Sequence, residues 1–200
     1  MENLLRHHKP QNFSDRVALA FTKFLRLLAD TFFKKKYGHR AVVLETVAAV
    51  PGMVAGMLIH LKSLRKIEDD KGWIKTLLDE AENERMHLMF FIQLTNPNWF
   101  ERALVLLAQF IFMVFYFFVY IISHRTAHRM IAYFEEEAVI SYTQYLQMVE
   151  NGKVENVPAP RLAIQYYDMS VDAKLSDLIR KVRADEQHHS EVNHKYANRS

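Results

Sequence analysis

Hydrophobic and polar positions alternate with a helical period along almost the whole chain. Apolar residues recur every three or four positions, which predicts six main helices at about 14–34, 40–66, 72–94, 99–122, 125–150 and 171–196. The breaks between them carry turn chemistry: Tyr37-Gly38, Asp69-Asp70-Lys71-Gly72, Thr95-Asn96-Pro97-Asn98 and Asn151-Gly152. The longest polar connection, 151–161, holds two of the five prolines and reads as a loop crossing the end of a bundle. No internal repeat or low-complexity segment interrupts the pattern.

Three segments depart from ordinary amphipathicity. Leu104 to Ile122 is 19 residues long and carries no charge, and 41–61 is nearly as apolar apart from Glu45 and His60. By hydropathy both are transmembrane candidates. The first helix sets Val17, Phe21, Phe24, Leu25, Leu28 and Phe32 against Arg16, Lys23, Arg26 and Lys34 to Lys36. Such a basic amphipathic helix either lies in a membrane interface or is a packing face with solvated lysines.

Composition narrows the classes. Two hundred residues, half of them hydrophobic, suit one all-α domain with one sizeable core. Five Gly and five Pro argue against a sandwich of tight turns, and the apolar content against disorder. The net charge of +3 is a slight excess, and no basic recognition motif accompanies it, so nucleic acid is not an expected partner. Zero Cys removes disulfides, zinc ribbons, iron–sulfur clusters and thiol catalysis together. Any metal must be held by His and carboxylates. The opening MENLLRHHKPQNFSD has neither the apolar segment of a signal peptide nor the composition of a transit peptide, leaving a bacterial chain or a trimmed presequence as the expectations.

Carboxylates on apolar faces carry the chemistry. Glu45 stands in LETVAAV, where a lone ionised carboxylate is costly unless paired or bound to a metal. Glu84 and His87 project from one helix face at i, i+3, on a stripe with Trp73, Leu77, Phe91 and Leu94. Glu135 shares a stripe with His128, Ile131, Ala138, Tyr142 and Tyr145. The last helix has two Glu-x-x-His pairs. Glu186/His189 extend the apolar stripe Leu175, Leu178, Ile179, Val182; Glu191/His194 extend Arg180, Ala184, Gln187 and read as a solvated face. With 14 Glu and 10 His, chance supplies about one such spacing, so placement on buried faces matters more than the string.

Four helices thus offer Glu, Glu-x-x-His, Glu and Glu-x-x-His, the ligand pattern of binuclear carboxylate bundles. Four carboxylates neutralise two divalent cations, hard oxygen donors suit iron or manganese, and two imidazoles leave positions open for O₂. If 40–66 surrounds a metal pair with 72–94, 125–150 and 171–196, it cannot span lipid while its partners stay in water. The expected fold is a ferritin-like four-helix bundle, with 14–34 and 99–122 dipping into one leaflet. Two spanning helices is the alternative.

LETVAAVPGMVAGMLIHLKSLR, LLDEAENERMHLM, EEEAVISYTQYL and RADEQHHSEVNH resemble the alternative oxidases, from about Arg40 to His194. The resemblance implies a single domain over 1–200, with 14–34 as a membrane helix and 40–196 as the di-iron bundle. It implies a monotopic, cyanide-insensitive oxidase that oxidises two ubiquinols and reduces O₂ to two waters without pumping protons. Two iron ions per chain would bind Glu45, Glu84, His87, Glu135, Glu186 and His189. Tyr142 corresponds to the essential tyrosine near the irons, an electron or radical relay; otherwise it is a core tyrosine bonded to a buried carboxylate. Asn83, His128 and Asp185 correspond to a network that orients the ligands. The quinol pocket corresponds to Arg40, Leu44, Glu137, Ala138 and Ser141. Glu137 would accept quinol protons; otherwise Arg40 is a helix-end salt bridge and Glu137 a solvated glutamate. The catalytic candidates are Tyr142, Glu137 and Asp185.

Three positions depart from the family. Tyr166-Tyr167 stands where Tyr-Trp is usual, Ser141 where Thr is common, and the plant regulatory cysteine has no counterpart. A homodimer is expected from the apolar surface of 40–66. The implied location is the cytoplasmic membrane of a bacterium, cytoplasmic face, or the mitochondrial inner membrane, matrix face. The rival readings are a quinone hydroxylase of the same bundle class, a ferritin-like iron-binding protein and a non-enzymatic membrane scaffold.

Overall fold

A computed structural model describes residues 7–33 and 37–199; Lys34 to Lys36 and the side chains of Phe32 and Phe33 lie outside the description. Among the described residues the chain is all-α: α1 (Phe13–Phe33), α2 (Tyr37–Lys66), α3 (Trp73–Thr95), α4 (Trp99–Ile122), α5 (His124–Glu150), α6 (Arg161–Tyr167) and α7 (Leu175–Arg199). It divides into two compact units, one of residues 38–123 and one of 1–37 with 124–200.

In the 38–123 unit, α2 and α3 are joined by a short turn whose Asp70 carboxylate accepts the Ile74 N–H at 2.8 Å and starts α3. Asn96, at φ 46°, ends it. Asn98 and Glu101 then cap α4 reciprocally, each side chain accepting the other's backbone N–H, at 3.0 and 2.8 Å. At Gly52, α2 lies close against α3. A Cβ there would run into the Leu77 carbonyl and lie 3.0 Å from the Ala81 Cβ. Only glycine permits that approach.

The two apolar helices differ in burial. In its most apolar window α2 is 56% buried and α4 only 17%. α4 turns Phe112, Tyr116 and Tyr120 inward at a four-residue interval and leaves Leu106, Leu107, Phe110, Ile111, Phe118, Ile121 and Ile122 exposed.

In the other unit α7 packs along α5, and α1 lies against α5. Leu175, Leu178, Ile179 and Val182 are buried, as the stripe requires. Helix α7 begins four residues later than the periodicity suggests. Residues 157–159 first pair with 173–175, through Ala159 N–H to the Ala173 carbonyl (2.9 Å) and Leu175 N–H to the Val157 carbonyl (2.8 Å). α6 is the one helix the pattern did not predict.

α1 is amphipathic the other way round from a core helix. Asp15, Ala18 and Thr22 are buried, while Phe13, Val17, Phe24, Leu27 and Leu28 are exposed.

Candidate metal centre

Each unit carries one Glu with one Glu-x-x-His pair. In the 38–123 unit these are Glu45 on α2 and Glu84 and His87 on α3, all buried. Glu45 is seven residues before Gly52, and Glu84 seven after Leu77, so each ligand sits two turns along the same face from the glycine contact. The close approach at Gly52 brings these faces together. His87 Nδ1 is 3.4 Å from Glu45 Oε2 and 3.4 Å from Glu84 Oε2. In the other unit Glu135 on α5 and Glu186 and His189 on α7 are likewise buried. Within each triad the ligand atoms lie within 4.8 Å of one another.

That spacing suits a metal. Bonds of about 2.0–2.2 Å hold two donors on one ion at most about 4.4 Å apart. Two carboxylates per triad match the charge of one divalent cation, whereas two bare carboxylates in a dry interior would repel. The oxygen and imidazole donors fit iron or manganese, and the chain has no cysteine thiolate to favour a softer metal.

The α5–α7 triad has a built support. His128, fully buried, donates from Nδ1 to Asn193 Oδ1 at 2.9 Å, and Asn193 Nδ2 donates to the His189 carbonyl at 3.1 Å. Burial pushes the His128 imidazole down to about 4, although the Asn193 hydrogen bond opposes it, so it is neutral at pH 7. The Tyr167 hydroxyl donates to Asp185 Oδ2 at 2.6 Å, next in sequence to Glu186. The Tyr166 ring meets Tyr167 edge-on at 4.9 Å and is partly exposed.

The remaining expected residues are placed as follows. Tyr142 is buried on α5, two turns beyond Glu135. Arg40 is buried on α2, Leu44 and Asn83 half-buried, Ala138 half-buried and Ser141 buried. Glu137 is not a solvated glutamate. Its Oε2 accepts from Arg26 at 3.0 Å and its Oε1 from His7 at 2.9 Å.

The alternative oxidase family profile matches residues 1–198. The chain belongs to the alternative oxidase family. Over 192 residues, 96% of its length, it is 55% identical to alternative oxidase 3, mitochondrial, of Glycine max, covering 59% of that protein. It is 56% identical to ubiquinol oxidase 2, mitochondrial, of Arabidopsis thaliana, covering 54% of it. It is 54% identical to ubiquinol oxidase 1a, mitochondrial, of Oryza sativa subsp. japonica, covering 58% of it. The chain therefore spans less than two thirds of these relatives' length.

This alternative oxidase family chain also has a polar network that periodicity did not expose. His194, read as part of a solvated face, is nearly buried and donates from Nε2 to Glu136 Oε1 at 2.7 Å. Arg129, fully buried, donates to His194 Nδ1 at 2.6 Å and to Asn198. Arg125 binds the buried Asp15 at 2.7 Å. Burial alone would raise the Asp15 carboxyl; the Arg125 hydrogen bond and the Gln11 N–H outweigh it and hold it low. These partners are more than a hundred or about sixty residues apart, so the only sequence signal was that Arg129 and Glu136 interrupt an otherwise buried helix.

Proposed function

We propose that this chain is a ubiquinol oxidase that couples quinol oxidation to the reduction of O₂ to water. What carries the reading is the repeated triad, Glu45 with Glu84/His87 and Glu135 with Glu186/His189, in a chain of the alternative oxidase family. Relatives named ubiquinol oxidase at 54–56% identity support it. The two triads together hold two iron ions per chain, and residues 40–196 form one di-iron bundle within a single domain spanning 1–200. When bound, the irons store the electrons from quinol and supply the positions at which O₂ is reduced.

The rest is the work of side chains. Arg40 and Glu137 hydrogen-bond the quinol headgroup, and Leu44, Ala138 and Ser141 wall its pocket. A Glu137 carboxylate oxygen accepts protons as the quinol is oxidised. Tyr142, buried on α5 two turns beyond Glu135, would pass the electron that the quinol gives up toward the bound irons. Asn83, His128, Asp185, Tyr166 and Tyr167 keep the ligands in register, His128 through Asn193 and Tyr167 through Asp185.

Quinols are lipid-soluble, so the site must meet a membrane. The outward apolar faces of α1 and α4 enter one leaflet. The relatives' mitochondrial names support a mitochondrial location; within it, the matrix face of the inner membrane is the place this reading assigns. Met53, Met57, Leu61 and Leu64, exposed along α2, form a homodimer face.

The test is O₂ uptake by membranes supplied with ubiquinol and cyanide. Uptake with quinone and water as products, about two irons per chain, and loss of both in Glu135→Ala are expected. A hydroxylated quinone ring, or full activity in Glu135→Ala at normal expression, would overturn the reading.

A further inference from the structure

The start of α1 and the segment before it are pinned to α5 at two points. At one end Asp15 is held by Arg125, with Arg129 Nε 3.6 Å away. At the other, His7 and His8 engage the middle of α5. His8 N–H donates to Glu136 Oε1 at 3.0 Å. His7 uses both ring nitrogens: Nδ1 lies 2.9 Å from Glu136 Oε2 and Nε2 2.9 Å from Glu137 Oε1.

The two glutamates are not equivalent. Glu136 is also bound by His194, so without His7 it still has two partners. Glu137 has Arg26 on Oε2 and His7 on Oε1. One donor leaves a carboxylate free to rotate about its last bond; two donors on different oxygens fix its plane. A carboxylate has about four acceptor sites, so a Glu137 held in this way still offers two to another hydroxyl. Hydrogen bonds to the carboxylates of Glu136, then Glu137, raise the His7 imidazole to about 9. Both nitrogens therefore carry protons at neutral pH, which lets one ring donate to two acids.

The geometry points to His7 as a positioning residue for the quinol site: by bridging Glu136 and Glu137 it fixes the Glu137 carboxylate for the headgroup. The segment preceding α1 is then part of the substrate site and not merely a strap along α5. This rests on the proposed reading of Glu137 as a quinol contact.

The test exploits the two nitrogens. In His7→Gln the amide nitrogen takes the place of Nε2 and keeps the donor toward Glu137. In His7→Asn it takes the place of Nδ1 and keeps only the donor toward Glu136. Steady-state kinetics with a short-chain ubiquinol, iron content and thermal midpoint are measured for both, with Glu137→Gln alone and combined with His7→Asn. His7→Asn is expected to raise the quinol KM about tenfold with kcat and iron content little changed, as loss of one charge-assisted hydrogen bond implies. His7→Gln is expected to recover most of that loss, and His7→Asn to add nothing to Glu137→Gln. A KM that moves equally in Asn and Gln variants, or only a lower thermal midpoint, would reduce His7 to a structural clasp and overturn the inference. If Glu137→Gln itself leaves the quinol KM unchanged, the reading of Glu137 falls first. If it raises KM while His7→Asn does not, the role of His7 falls alone.

Discussion

Helices α2 and α3 in one unit and α5 and α7 in the other present the same three residues, Glu with Glu-x-x-His, and a different feature stands behind each set. Around Glu45, Glu84 and His87 the helices pack closely, Gly52 against Leu77 and Ala81, with Phe90 and Phe91 fully buried one turn beyond. Around Glu135, Glu186 and His189 there is hydrogen bonding: His128 to Asn193 to the His189 backbone, and Tyr167 to Asp185. A packed support fails when volume changes and a hydrogen-bonded one when a partner is removed. The ligand sets should therefore answer alike to loss of a ligand and unlike to changes behind them.

The largest effect tests the likeness. Glu45→Ala and Glu186→Ala each leave a triad with one carboxylate and too little charge for a divalent ion. Both are expected to lower O₂ uptake at least about 100-fold and to strip iron, measured by metal analysis of purified protein. If one variant keeps both irons, the two triads do not contribute equally and the comparison breaks.

The next tests the packed side. Gly52→Val puts a branched side chain against the Leu77 carbonyl, where even one Cβ does not fit. The helices must part, at about 1–3 kcal/mol, or roughly 3–10 °C in thermal midpoint for a chain of this size. Because Glu45 and Glu84 lie two turns from that contact on the same faces, iron affinity should fall with stability. Loss of stability at full iron affinity would show that the glycine contact does not set the ligand spacing.

These supports were unequally legible. The burial of Glu45, Glu84, His87, Glu135, Glu186 and His189 followed from face periodicity, since a helix fixes which positions share a face. The boundaries of α4, 99–122, were readable because Asn98 and Glu101 are three apart and cap by their own chemistry. α6 was not: seven residues make two turns, too few for a period, and only Pro160 before it hinted at a start. His194 was misread for a different reason. Its own helix puts it one turn past the exposed Glu191, and nothing local foretells that Glu136 and Arg129 reach it from α5. The first helix showed its amphipathicity but not its direction. That depends on Asp15 finding Arg125 more than a hundred residues away, which turns the face of Asp15, Ala18 and Thr22 inward.

The hydrogen-bonded side is probed by Asn193→Ala. The change removes the acceptor for His128 Nδ1 and the donor to the His189 carbonyl. About a tenfold loss of iron affinity is expected, with Glu84 and His87 unaffected in position. An unchanged affinity would mean that the Asn193 hydrogen bonds do not orient His189.

The smallest effect is one of pH, and it separates the hydrogen-bonded unit's anchors by sign. His7 is raised from 6.5 to about 9 on folding, so between those values the folded chain binds more protons than the unfolded one. Its contribution is whole below about pH 6.5 and is lost as pH rises through 9. Glu136 behaves oppositely. Burial opposes its ionisation, but hydrogen bonds from His194, His7 and the His8 backbone hold it at about 2, so its contribution is present above about 4.5 and lost as pH falls through 2. The thermal midpoint of the natural chain minus that of His7→Asn should therefore be greatest near pH 5–6.5, shrink through pH 8, and vanish above about pH 10. The difference is on the order of 1–2 kcal/mol, since the pair is largely but not wholly shielded from solvent. A difference that stays constant to pH 10 would mean that His7 holds Glu136 and Glu137 by shape and not by charge.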